Sequence, residues 1–247
     1  ENFGPAYSSL GEIYQRTEDY EKSAAAYEKA IQLNPTSFKD HFNLGKVYQA
    51  MGEFQKALRA YARACELNPD HLDAHLNAAK CCYGIADYNG ALIYCERAER
   101  IDPNAIEVQK MLADVYQAQK DYAGVIASYK RVLEIGGDDP EVMLALAVAY
   151  LRVEQYESAK ELLASVMQIR PDDGTAYQYS GFCHLKLGDI DKAIEDYSKA
   201  IQIDDNDWQA HRGLGVAYMS KALRNNDELL RLKAIEQWRI SLDIKPD

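Results

Sequence analysis

The sequence predicts an all-α protein built from seven repeats of two helices each. Three observations support this prediction. A phrase ending in proline recurs every 34 residues, as in Leu33-Asn34-Pro35, Leu67-Asn68-Pro69 and Ile101-Asp102-Pro103. A small residue occupies the eighth place of every repeat, and apolar residues recur within each repeat at steps of three and four. The repeats begin at residues 4, 38, 72, 106, 140, 174 and 208, so residues 1–247 are predicted to form a single array.

Small and large residues keep a fixed register along the repeats. Place 8 holds Gly11, Gly45, Ala79, Ala113, Ala147, Gly181 and Gly215. Place 24 holds Tyr27, Tyr61, Cys95, Tyr129, Leu163, Tyr197 and Trp238. We expect the small residues to let two backbones approach closely, and the large residues to fill the space beside them.

The apolar places define the two helices of each repeat. Places 4, 7, 8 and 11 form one apolar stripe and places 17, 20, 24 and 27 form a second, which predicts about fourteen helices in all. Proline at place 32 ends repeats one, two, three and five. Repeat four ends instead in Gly136-Gly137, which predicts either an ordinary glycine helix stop or a looser joint. Repeat seven has seven extra residues near Leu223–Glu228, where Asp227 is the expected N-cap of a second, lengthened helix.

This pattern resembles the tetratricopeptide repeat (TPR) family along nearly the whole chain. The resemblance implies a right-handed superhelical solenoid whose first helices line a concave groove. In that family the groove is formed by places 2, 5, 6, 9, 12 and 13 of each first helix, and these places are called groove places below.

The composition excludes several classes of partner. The formal net charge of −11 argues against nucleic acid, whose phosphates are held by clustered Lys and Arg. The longest charge-free apolar run, Val142–Leu151, is half of the ~20 residues that cross a bilayer, so no membrane insertion is expected. Five cysteines without a C-x-x-C pair favour a reducing, cytoplasmic setting. The apolar face expected at the end of the last repeat also predicts that the chain is a fragment of a longer protein.

No motif in the sequence predicts catalysis, and we expect no enzymatic activity and no cofactor. One group of side chains resembles zinc ligands in its composition: His71, His75, Cys81, Cys82 and Cys95. The register favours a packing role, because Cys82 and Cys95 stand at places 11 and 24 and His75 at place 4. A zinc site and a Cys82–Cys95 disulfide stay as alternatives.

The groove places divide into a polar and an apolar section. Repeats two and three carry Asn at place 6 and Lys at place 9, namely Asn43, Lys46, Asn77 and Lys80. This set, called the polar ladder below, resembles the asparagine ladders of protein O-linked N-acetylglucosamine transferases, where amides hold a peptide backbone. Repeats five and six instead carry Leu144, Val148, Leu151, Tyr179, Phe182 and Leu185. Such an apolar wall predicts a partner that covers it, or a tightly wound inner wall that covers itself.

These patterns predict a protein-interaction scaffold that binds a peptide or a partner segment in its groove. The polar ladder would hold the backbone and the apolar section would anchor side chains. Two alternatives are a substrate-recognition arm of a larger enzyme, such as a glycosyltransferase, and a self-assembling homo-oligomeric scaffold. A longer reading frame with a catalytic domain would favour the first, and concentration-dependent light scattering would favour the second.

Overall fold

The computed structural model describes residues 3–246, which form fourteen α-helices and no strand. In chain order the helices are α1 Gly4–Arg16, α2 Tyr20–Leu33, α3 Phe38–Ala50, α4 Phe54–Leu67, α5 Leu72–Gly84, α6 Tyr88–Ile101, α7 Ile106–Ala118, α8 Tyr122–Gly136, α9 Pro140–Arg152, α10 Tyr156–Ile169, α11 Gly174–Leu187, α12 Ile190–Ile203, α13 Trp208–Asn225 and α14 Glu228–Ile244. Every odd-numbered helix begins at the first residue of a repeat. The predicted all-α fold of paired helices is therefore confirmed.

The chain divides into two compact halves at a boundary between Gly124 and Val125, inside α8. In the N-terminal half, each of the helices α1 to α6 packs on the next one along the chain, and so does each of the helices α9 to α13 in the C-terminal half. First helices of neighbouring repeats also touch, as α1 does with α3 and α9 with α11. Packing between sequence neighbours is typical of helical-repeat solenoids. The single array over residues 1–247 and the hand of its superhelix stay predictions.

Places 8 and 24 of a repeat pack directly on each other. A Cβ added to Gly45 would lie 2.7 Å from ring atoms of Tyr61, too close for any real contact. The ring therefore lies against the bare backbone of place 8, rather than beside it as the sequence suggested. In repeat five the same two places hold Ala147, which is larger than glycine, and Leu163, which is smaller than tyrosine. Both are fully buried. A larger residue at place 8 is thus matched by a smaller residue at place 24, so the core keeps a similar volume at this contact.

The turn inside each of the first six repeats uses a left-handed backbone at place 15. The residues at this place have φ between 59° and 86°: Glu18, Gly52, Ala86, Lys120, Glu154 and Gly188. Only Gly52 and Gly188 adopt this conformation without a Cβ penalty, which is about 1–2 kcal/mol for other residues. The turn geometry is therefore imposed by packing of the two helices and not by the residue at the turn.

The acidic residues between repeats cap the first helices. Asp139, Asp173 and Asp207 each accept a hydrogen bond from a backbone N–H of the helix that follows, at 2.9 to 3.1 Å. A carboxylate at this position satisfies an orphan donor and favours the positive end of the helix dipole.

The two departures from the repeat pattern are local. α8 ends at Gly136, and Gly137 has φ of +79°, which is an ordinary glycine helix stop. In repeat seven, α13 has 18 residues and α14 has 17, so the extra residues lengthen the two helices. The N-cap predicted at Asp227 is present, because its carboxylate accepts from the N–H of Leu229 at 2.9 Å.

Candidate functional site

A pocket of about 520 Å³ lies in the C-terminal half and is lined mainly by α9, α11 and α13. Its lining residues are Val148, Leu151, Arg152, Gln178, Tyr179, Phe182, Leu185, Lys186, Tyr197, Gln209, Arg212, Gly213 and Val216. All of these except Tyr197 stand at groove places of their repeats. Residues at these places share one face of a helix, because they are separated by three, four or seven residues. We call this site the apolar pocket.

Five of the six apolar residues predicted for the groove meet in this pocket. Val148 and Leu151 come from α9, and Tyr179, Phe182 and Leu185 come from α11. All five are half-buried, so each leaves apolar area that a ligand can cover. The sixth residue, Leu144, does not line the pocket. It packs instead on the core cluster that contains Met143, Ala147 and Leu163.

The Phe182 side chain packs on the core with part of its ring and leaves the rest exposed in the pocket. The Phe182 ring packs on the buried cluster of α12 and α13, and its centroid is 6.1 Å from that of Tyr156 in an edge-on arrangement. The ammonium group of Lys186 lies 5.4 Å from the ring centroid, within range of a cation–π attraction. The ring is therefore held in place before any ligand arrives, which lowers the ordering cost of binding.

A glycine on α13 opens the pocket toward the core. A Cβ on Gly213 would lie 2.4 Å from ring atoms of Tyr197, so only glycine lets that ring reach the pocket wall. Tyr197 is 3% exposed, and burial raises the pKa of its hydroxyl above the ordinary value. The sequence analysis assigned no role to Gly213. Its role depends on the aromatic residue at place 24 of the preceding repeat.

The polar ladder lies in the N-terminal half, and the half-buried Asn43 lies near a buried tyrosine. Burial raises the pKa of the Tyr27 hydroxyl to about 12 and the nearby Asn43 side chain lowers it in part, while that hydroxyl donates to Gln15 Oε1 at 3.5 Å. Asn77 is half-buried, while Lys46 and Lys80 are exposed. The Lys46 ammonium lies 6.0 Å from the centroid of the Phe42 ring. The role of these four residues in binding stays a prediction.

Three cations on the apolar pocket were missed by the sequence analysis. Arg152 and Lys186 stand at place 13 of repeats five and six, and Arg212 stands at place 5 of repeat seven. The groove places assigned from the TPR resemblance could have found all three. They were missed because the analysis of repeats five to seven followed only the apolar residues at those places.

The cysteine and histidine group in repeat three is part of the core. Cys81, Cys82 and Cys95 are at most 1% exposed and all three are free thiols. Burial raises the pKa of Cys82 to about 11 and that of Cys95 to about 12, so these thiols are protonated and unreactive at neutral pH. His71 caps α5, and His75 Nε2 lies 2.8 Å from the Pro69 carbonyl oxygen. No group of three or more potential metal ligands was found within residues 3–246.

A Ser, a His and an Asp meet in repeat six, without the geometry of a catalytic triad. The Ser180 hydroxyl donates to Asp196 at 2.7 Å, and His184 Nδ1 lies 2.8 Å from the same carboxylate oxygen. In a triad the serine bonds to the imidazole, which bonds in turn to the carboxylate. Here Asp196 binds both side chains, Ser180 is 1% exposed, and the arrangement joins α11 to α12.

The helices are also unsuited to crossing a bilayer. Across the part of the chain that the structure describes, none of them combines the length and the apolar character that a membrane span needs.

Paired helices in a 34-residue register, together with a pocket formed by groove places, define a tetratricopeptide repeat protein. The chain belongs to the family described as the cilia and flagella-associated protein 70 C-terminal domain, whose model matches residues 5–213. No curated protein matches the sequence well enough to identify a relative.

Solved structures show the same fold. The C-terminal part of a TPR repeat-containing protein from Cytophaga hutchinsonii has a TM-score of 0.75 at 14% identity, covering 96% of this chain and 94% of that one. YrrB, described as a TPR protein with an unusual peptide-binding site, has a TM-score of 0.63 at 22% identity, covering 77% and 94%. MamA from Desulfovibrio magneticus RS-1 has a TM-score of 0.62 at 20% identity, covering 71% and 95%.

Proposed function

We propose that this chain is a non-enzymatic scaffold that binds a segment of a partner protein along its groove and anchors that segment in the apolar pocket. The observation that supports this most strongly is the meeting of Val148, Leu151, Tyr179, Phe182 and Leu185 in one pocket of about 520 Å³. A pocket of this size fits one or two side chains and lies within the usual range of ligand sites. The polar ladder would contribute backbone contacts at repeats two and three.

Two further findings agree with this proposal. YrrB, which shares the fold, is described as having a peptide-binding site. The family's own description associates it with cilia and flagella, so we propose a protein of such an assembly as the partner. A cytoplasmic location stays a prediction from the cysteine content.

Selection from a displayed peptide library tests the proposal. The full chain is immobilised, and enriched peptides are then measured against a variant with the pocket filled, Val216→Trp. Val216 is 38% exposed, so a larger side chain there is compatible with the fold. Tyr83→Trp is the control, because Tyr83 is 39% exposed at a groove place outside the pocket. We expect affinity to fall only for Val216→Trp, and a chain that enriches no peptide would contradict the proposal.

One observation favours self-association as a second candidate function. Four apolar side chains of α14 are 47% to 63% exposed: Leu229, Leu232, Ile235 and Leu242. None of them lies on the face that carries the buried residues Ala234 and Ser241, and Leu232 lies nearly opposite that face. If this face joins two copies, sedimentation velocity will show a dimer that Leu232→Glu returns to monomer. A wild-type chain that stays monomeric at high concentration would exclude this candidate.

A further inference from the structure

The charged side chains at the rim of the apolar pocket are all positive. Arg152, Lys186 and Arg212 all line it, and among the described residues that form its wall none is acidic. The sequence as a whole has 39 acidic residues and a net charge of −11. A wall with three cations and no carboxylate is therefore opposite in sign to the rest of the protein.

Three other pockets in the described chain do not share this property. The pocket around Cys65 includes Glu66 and Asp70 beside its arginines. The pocket around Leu162 includes Glu134 and Glu161, and the pocket around Gly188 includes Asp189 and Asp191. Each of these pockets brings both signs together, so its field is largely cancelled. Of these four pockets, the apolar pocket alone is lined by charged side chains of one sign.

The position of the cations fits a ligand that carries both apolar and anionic groups. Lys186 lies over the Phe182 ring, so one cation stands directly at the apolar wall. All three cationic side chains are exposed, and none is within 4 Å of a carboxylate in the described chain. Their charges are free to meet carboxylates of a ligand and to steer its approach.

We propose that the partner segment is acidic, with one or two apolar side chains flanked by Asp or Glu. The inference rests on the proposed peptide-binding function and specifies its ligand. The apolar side chains enter between Val148, Phe182 and Val216, while the flanking carboxylates pair with the rim cations. A peptide fits better than a nucleic acid, because the wall is apolar between the cations and the chain around it is acidic.

Three synthetic peptides test the charge preference. Each is a 12-residue peptide labelled with fluorescein that has Leu and Phe at its centre, and the flanking residues are all Glu, all Gln or all Lys. Binding to the full chain is followed by fluorescence anisotropy at low and high salt. We expect the Glu peptide to bind roughly tenfold tighter than the Gln peptide, because exposed ion pairs each contribute little and three act together. High salt should remove most of that difference.

Two triple variants, one in the pocket and one outside it, test whether the rim cations cause the preference for the Glu peptide. Replacing Arg152, Lys186 and Arg212 by Gln should erase the advantage of the Glu peptide and leave binding of the Gln peptide nearly unchanged. The control replaces three exposed cations of the second helices by Gln, and it changes the net charge equally: Lys29, Arg59 and Lys199. The control should keep the preference for the Glu peptide. Circular dichroism verifies that both variants fold.

The possible outcomes separate the two proposals. Equal binding of the Glu and Gln peptides would overturn the acidic-ligand inference and leave the peptide-binding function standing. A preference that survives in the pocket variant would also overturn the inference, because the cations would then act elsewhere. Binding of a labelled oligothymidine as tight as that of the Glu peptide would show a general anion site instead. If no peptide binds, both proposals are wrong.

Discussion

The first helices of repeats two and three and those of repeats five to seven occupy the same places of one register, yet they present different surfaces. Repeats two and three carry the polar ladder, and repeats five to seven form the apolar pocket. Beneath both surfaces the contact between places 8 and 24 is the same, as Gly45 with Tyr61 and Gly181 with Tyr197 show. The packing places therefore define the fold, while the groove places differ between repeats without changing it.

The largest expected difference between the two halves is their response to alkaline pH. Four buried cysteines lie in the N-terminal half, at Cys65, Cys81, Cys82 and Cys95, and only Cys183 lies in the C-terminal half. Burial raises the pKa of each thiol, to about 11 or 12. A raised folded-state pKa means that stability is fully present below the unfolded pKa of ~8.5 and is lost as pH rises toward the folded value.

At pH 10 each buried thiol should therefore lower the free energy of unfolding by about 2 kcal/mol, so the N-terminal half should open first. Brief alkylation with iodoacetamide across pH 7 to 10.5, followed by mass spectrometry of each cysteine, measures this directly. We expect Cys81, Cys82 and Cys95 to be modified before Cys183. Modification of Cys183 first would contradict the assigned burial.

The second prediction concerns the packing contact between places 8 and 24 of a repeat, which occurs in both halves. Gly45→Leu should lower stability by ~1–3 kcal/mol, because even a Cβ there meets the Tyr61 ring at 2.7 Å. Combining Gly45→Ala with Tyr61→Leu should cost less than the sum of the single changes, since the pair then matches Ala147 and Leu163. Urea unfolding of the four variants measures the coupling. Additive effects would show that the two places do not contact.

The third prediction weighs the apolar pocket against the polar ladder. Phe182→Ala should weaken a selected peptide by ~1–2 kcal/mol, because it removes an aromatic wall. Asn77→Ala should cost no more than ~0.5–1.5 kcal/mol, the usual net value of one hydrogen bond. Isothermal titration of folded variants gives both numbers. Since Phe182 also packs on the core, Val216→Ser is the second pocket variant. Loss confined to Asn77→Ala would move the site to repeats two and three.

The smallest prediction concerns the turn that is common to the repeats. Ala86 and Glu154 both have φ of 59° at place 15, one in each half. Replacing either by Gly should raise stability by up to ~1 kcal/mol, because glycine has no Cβ penalty there and loses only part of that gain to entropy. Thermal unfolding measures the change. A lower melting temperature in both variants would contradict the assigned turn geometry.

The sequence predicts the helices well because they depend on local periodicity. The repeat starts at residues 38 and 174 coincide with the first residues of α3 and α11. The predicted pocket residues were found by the same register. Interactions between repeats were harder to predict, since they depend on which residues face each other across two helices. The approach of Tyr197, from repeat six, to Gly213, in repeat seven, is of this kind.

We propose that a ligand binds in the apolar pocket of repeats five to seven. Site-specific photocrosslinking tests it most directly, with p-benzoylphenylalanine placed at Val216 in one variant and at Tyr83 in another. The two positions are equally exposed, at 38% and 39%, and both stand at groove places. A peptide selected on the wild-type chain should crosslink at position 216 and far less at position 83. Crosslinking that is strong at position 83 and absent at 216 would contradict the account.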